Sequence, residues 1–144
     1  MGEEDNKLFF VGLKAFIEKE GSLLVVRESG SFREGGNWEL PGGRIQQGET
    51  ETPFNEVLLR EVKEECGAIQ IIVGDVIEIF RRKFANGQWV VLAGFDCRYL
   101  SGEVTVSDEH SEYAWITAKD LPSYQFVPGY KEAIESYFKK KLLG

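Results

Sequence analysis

The chain has 144 residues and a mass of 16.3 kDa, and 42% of it is hydrophobic. That is enough for one packed core and too little for two ordinary domains, so one domain over residues 1–144 is expected. The 17 Lys and Arg face 24 Asp and Glu, a formal net charge of -7, which argues against electrostatic capture of a nucleic acid polymer or an anionic membrane. With one histidine, His110, and two cysteines, Cys66 and Cys97, those residue types cannot complete a four-ligand zinc site. Both cysteines fall in apolar patterns and read as small buried hydrophobes in a reducing compartment. The leading MGEEDNK is acidic, unlike a secretory n-region, and the apolar runs are too short to span a bilayer, so a cytoplasmic protein is expected.

Leu8 to Glu18 is strand-like; the turn Lys19-Glu20-Gly21-Ser22 and the run Leu23 to Arg27 complete a hairpin pattern. Ser29 to Asn37 is a Gly- and Ser-rich loop, and Trp38-Glu39-Leu40 is a short apolar piece stopped by Pro41-Gly42-Gly43. A helix is expected over about Pro53 to Cys66, with Thr52 as its cap, Pro53 in its first position and Gly67 closing it. Ile69 to Phe84 and Trp89 to Tyr99 read as long antiparallel strands joined at Asn86-Gly87. After a turn at Ser101-Gly102 come the short piece Glu103 to Val106 and a last strand, Tyr113 to Ile116. Thr117 is placed to cap a short helical turn, and about Gly129 to Leu142 is an amphipathic helix. Strands with mainly antiparallel signals plus two helices imply a mixed sheet covered by helices.

The chemistry concentrates in Arg60-Glu61-Val62-Lys63-Glu64-Glu65-Cys66-Gly67. At about 100° per residue, Leu58, Leu59, Val62 and Cys66 form the core stripe, while Glu61, Glu64 and Glu65 share an adjoining face. Like charges at these spacings repel, and Glu64 and Glu65 sit toward the helix C-terminus, where the macrodipole disfavours anions. Arg60 and Lys63 lie outside the acidic arc. Such a cluster of hard oxygen donors suits Mg²⁺ or Mn²⁺, and the carbonyl of Gly42 or Gly43 can add another oxygen. A solvated acidic helix face is the competing reading.

Gly43-Arg44-Ile45-Gln46-Gln47-Gly48-Glu49 followed by Arg60 to Ala68 resembles the Nudix box, G-x5-E-x7-R-E-U-x-E-E-x-G-U with U aliphatic. The order of strands, box helix, acidic loop and terminal helix resembles nearly the whole of a small Nudix domain. Ten residues separate Glu49 from Arg60 where the pattern has seven, so a longer loop and an undisturbed helix are expected, and the pairing of Glu49 with the box arginine is in question. The resemblance implies an α/β/α sandwich with a mixed, mostly antiparallel sheet. It also implies Mg²⁺- or Mn²⁺-dependent cleavage of the diphosphate linkage in a nucleoside diphosphate derivative: a nucleoside triphosphate, a dinucleoside polyphosphate or a nucleotide sugar. Glu64 and Glu65 are the first choices as metal ligands, with the Gly42 carbonyl. Glu61 is a ligand or the base, and Arg60 holds a carboxylate. A fourth acid is expected from the loop Asp108 to Glu112, with Glu109 ahead of Glu112; His110 reads as structural. Phe32, Trp38 and Arg44 are assigned to the substrate, with Trp89 a further aromatic candidate. The expected partner is a small nucleotide, with dimerisation a family expectation; the rival reading is a Nudix-fold sensor that binds a nucleotide without cleaving it.

Overall fold

The computed structural model describes residue 2, residues 5–30 and residues 36–143. The first run forms β1 (Phe10–Lys19) and the next β2 (Ser22–Glu28), joined as a tight hairpin with Lys19 opposite Ser22. Two short strands follow, β3 (Trp38–Glu39) and β4 (Gly42–Arg44), then helix α1 (Phe54–Cys66). The long strands β5 (Gln70–Lys83) and β6 (Trp89–Ser101) form the second hairpin, followed by β7 (His110–Ile116), a 3₁₀ helix (Ala118–Ser123) and helix α2 (Tyr130–Leu143).

All seven strands belong to one mixed sheet. β1 runs parallel to β6 over Phe10 to Glu18, while β4 and then β2 occupy its opposite edge antiparallel. β2 carries β3 on one side and β7 on the other. Alternation along β1 builds two cores, because successive side chains point to opposite faces. Leu13, Ala15 and Ile17 pack with Val57, Leu58, Val62 and Cys66 of α1, whereas Phe16 packs with Tyr130, Ile134 and Tyr137 of α2. The result is an α/β/α sandwich. Among the described residues, no helix is long and apolar enough to cross a membrane.

Three local expectations need correction, and one short piece takes a form of its own. Pro53, not Thr52, is the N-cap of α1, and no side chain caps it; the Pro53 carbonyl accepts from the Glu56 and Val57 amides instead. Leu59 is exposed and Val57 takes its place in the core, since the helix lies against β1 turned by about one position. The short piece at residues 103–106 has no regular secondary structure: the Thr105 and Ser107 amides donate to the Cys66 and Glu65 carbonyls and so cover the C-terminal end of α1. The last strand begins at His110, three residues ahead of Tyr113. Cys66 and Cys97 are buried free thiols, and burial pushes each thiol up to about 12.

Tyr137 is stacked on Phe16 with ring centroids 4.8 Å apart, yet its hydroxyl is buried with no hydrogen-bond partner among the described residues. A buried hydroxyl without a partner costs about 1–3 kcal/mol. Tyr137→Phe keeps the stack and removes that cost, so calorimetry should show a melting temperature equal to or above that of the unsubstituted protein. A fall would mean that the hydroxyl is satisfied.

Candidate active site

The site begins with two glycines. At Gly42 the backbone φ is +134°, and a Cβ would lie 2.0 Å from the Leu13 carbonyl oxygen, so only glycine can stand against β1 there. At Gly43 a Cβ would lie 2.6 Å from the Glu61 carboxylate. The backbone of β4 thus comes directly onto the acidic face of α1, and the Gly42 amide donates to Glu65 Oε1 at 2.9 Å.

Glu61, Glu64, Glu65, Gly42, Gly43 and Arg44 line one cavity of about 480 Å³, and Glu109 closes it from the loop before β7. Glu61 and Glu65 are buried, whereas the Glu64 side chain is 58% exposed. Arg60 is not outside the acidic arc in space. Its long side chain reaches back so that Nε and Nη2 donate to both oxygens of Glu49 at 2.6 and 2.8 Å, Nη2 to Glu61 at 2.7 Å and Nη1 to Glu64 at 3.0 Å. Angular position about the helix axis misplaces a residue whose guanidinium ends well beyond its own Cβ. The longer spacer is absorbed as consecutive turns in residues 47–52, where the Glu49 carboxylate also accepts from the Gln46 amide, so the Glu49–Arg60 pair forms despite the three additional residues. Lys63 is exposed and belongs to the surface.

Other assigned residues fall elsewhere. Phe32 lies outside the described residues. Trp38 does not line the cavity; its ring stands edge-on to Tyr124 at 4.9 Å, because strand alternation turns Glu39 inward and its neighbour away. Glu112 also lies off the cavity and pairs with Arg27 at 2.8 Å. Trp89 stands beside Arg81 and Lys83, again off the cavity.

Sequence reasoning missed the inner wall of the same cavity: Lys14, Glu28, Glu39, Arg82, Phe84 and Tyr130. The available signal was a lone lysine in the apolar run Val11 to Ile17, since a charge at a core position demands a partner. Lys14 Nζ donates to Glu39 Oε1 and to the carbonyls of Leu40 and Gly42, all within 3.2 Å. Burial alone would lower its pKa, but Glu39, together with Tyr130 and Glu65, more than reverses this and keeps the ammonium charged. Burial likewise opposes ionisation of Glu39, yet Lys14 and His110 hold its carboxyl down at about 2. His110 Nε2 lies 3.1 Å from Glu39, and the histidine is buried. Burial pushes Glu65 up to about 7 despite Lys14 and the Gly42 amide; burial, with Glu39 close by, also lifts Glu28 to about 7. Glu61 is raised too, again chiefly by burial.

Comparison with known proteins bears on the family and the fold. The NUDIX domain family model matches residues 11–137. The chain belongs to the Nudix family. It is similar to the nucleoside triphosphatase NudI of Escherichia coli O17:K52:H18, with 29% identity over 121 residues covering 75% of this chain and 82% of the relative. Among solved structures, the MutT protein of Methanosarcina mazei Go1 superposes with a TM-score of 0.76 at 28% identity, covering 93% of each chain. The MutT Nudix hydrolase of Burkholderia pseudomallei gives 0.77 at 27% identity, covering 90% of this chain and 98% of that one. This Nudix hydrolase therefore carries its box on the fold of its relatives.

The raised carboxyls give a pH test. Glu28 and Glu65 keep protons in the folded state up to about 7, whereas unfolded they lose them near 4.5. The folded state binds more protons across that window, so stability falls as pH rises through it. His110, whose pKa is raised through Glu39 and Glu65 against its burial, contributes in the same sense. In the presence of chelator, the melting temperature should therefore be higher near pH ~5 than near pH ~8, with a shallower slope in Glu65→Gln. A flat or rising profile contradicts these assignments.

Proposed function

We propose that this Nudix hydrolase is a divalent-cation-dependent pyrophosphohydrolase acting on a nucleoside triphosphate or a related nucleoside diphosphate derivative. The observation that carries the reading is the gathering of Glu61, Glu64, Glu65 and Glu109 with bare glycine backbone around one cavity of about 480 Å³. The donor set fits Mg²⁺ or Mn²⁺: all hard oxygens, with two carboxyls whose pKa burial has raised and which a neighbouring cation would bring down. Among the described residues no three acids already converge as a metal cage.

Glu64, Glu65 and Glu109 would hold the cation, with the Gly42 carbonyl offering the lone pair that Lys14 Nζ leaves unused, and the cation when bound neutralises phosphate charge and acidifies the attacking water. Glu61 takes the water proton, its raised pKa bringing it closer to neutrality, where a general base works best. Arg60 keeps Glu61 and Glu64 oriented through charge-assisted bonds of 2.7 and 3.0 Å. Glu49 anchors that guanidinium from the other side. Arg44, on the cavity wall, supplies a fixed positive charge for phosphate. A triphosphate fits the similarity to a nucleoside triphosphatase.

A panel of nucleoside triphosphates, nucleotide sugars and dinucleoside polyphosphates, assayed for phosphate or pyrophosphate release, should show turnover that chelator abolishes and Mg²⁺ or Mn²⁺ restores. Glu64→Gln and Glu61→Gln should each lower kcat by about 10² or more while leaving the melting temperature nearly unchanged for the exposed Glu64. Turnover that survives both substitutions would remove the box glutamates from the reaction.

A further inference from the structure

The same cavity also carries a lining of different chemistry, formed by Arg82, Glu28, Phe84, Val90 and Leu92. Arg82 is 6% exposed, and its Nε and Nη2 are buried with no hydrogen-bond partner among the described residues. Its Nη1 lies 3.8 Å from Glu28 Oε2 and 4.0 Å from Glu39 Oε1, too far for good hydrogen bonds. Glu28 is 7% exposed, and its Oε1 is also buried and unpartnered. The guanidinium lies over the Phe84 ring, its Cζ 4.7 Å from the ring centroid. Buried polar atoms in a folded protein nearly always have partners, so three orphans on one cavity wall call for a ligand.

We propose that this wall reads the nucleobase of the substrate and selects guanine or cytosine. The inference rests on the nucleotide reading above and narrows it. Nε and Nη2 form one edge of the guanidinium, a fork of two parallel N–H donors that matches two neighbouring acceptors. Once its carboxyl is ionised, above about 7, Glu28 Oε1 adds one acceptor beside it. Guanine offers O6 and N7 as neighbouring acceptors with N1–H alongside, and cytosine offers O2 and N3 with the N4 amine alongside. Adenine has no two neighbouring acceptors, and in uracil the two carbonyls are separated by the N3–H, so either base leaves part of the fork unmet. Val90 and Leu92 give the apolar floor on which a flat ring can rest.

The test separates base reading from the reaction. Calorimetric titration of the intact protein with GMP, CMP, AMP and UMP, which differ only in the base, should show GMP or CMP binding at least about tenfold more tightly than AMP and UMP. The tighter of the two identifies the base. Arg82→Lys keeps the charge and loses the fork, and Glu28→Gln changes the lone acceptor, so both should narrow the preference. Should either variant fail to fold, the four-way comparison on the unsubstituted protein still decides. Equal binding of all four, or preference for AMP or UMP, overturns the proposal. Hydrolysis of the four triphosphates is read beside it: a monophosphate preference without hydrolysis supports the base wall and removes the reaction, whereas turnover of all four with equal KM and equal monophosphate binding removes the base wall and leaves the reaction.

Discussion

The site depends on one buried cation. Lys14 Nζ holds the Glu39 carboxylate and the Leu40 and Gly42 carbonyls from inside the sheet, which fastens residues 39–42 across β1. Because that segment cannot slide, the Gly42 amide meets Glu65 and Gly43 lies flat against Glu61. An ion pair buried this deeply loses hydration worth several kcal/mol per charge, so it is weak as a source of stability. Its hydrogen bonds are what fix direction, and Lys14 spends all three donors on one strand segment.

Arg60 does the matching task on the outer side. Three carboxylates converge on it, two of them from the helix and one from the loop that leads into it. The charge repulsion expected along α1 is thereby answered by a neighbour in the same helix rather than by distant bases. The arrangement leaves Glu65 as the acid without a guanidinium, buried and with a raised pKa, facing Lys14 and Gly42. Two cationic side chains thus divide the acids into an outer group held by Arg60 and an inner group held by Lys14.

The cavity lining combines two kinds of chemistry: hard oxygen donors such as Glu109, and a guanidinium, an aromatic ring and aliphatic strand residues around Arg82. A nucleotide combines the same two: charged phosphates at one end and a flat, edge-labelled base at the other. Binding energy collected at the base end can serve positioning at the phosphate end, which is how remote contacts come to affect rate.

How much of this was legible beforehand depends on the range of each interaction. The hairpin at Asn86-Gly87, the stop at Gly67 and the acidic face of α1 follow from turn chemistry and a 3.6-residue period, which act over a few neighbours, and the sequence alone determined them. The box spacing identified the family in the same way. The inner wall was not legible: Lys14 on β1, Glu28 on β2, Glu39 on β3 and Arg82 on β5 meet only because β1 pairs with β4, β2 and β6, and β5 is carried in by β6. A register shift at Arg27/Glu28 also changes the alternation by which the facing of Glu28 would have been judged. Trp38 was misassigned and Glu39 overlooked because a two-residue strand gives too short an alternation to reveal which side faces inward. Local chemistry decided the elements and the glutamate face; strand pairing, which joins residues far apart in the chain, decided what stands opposite them.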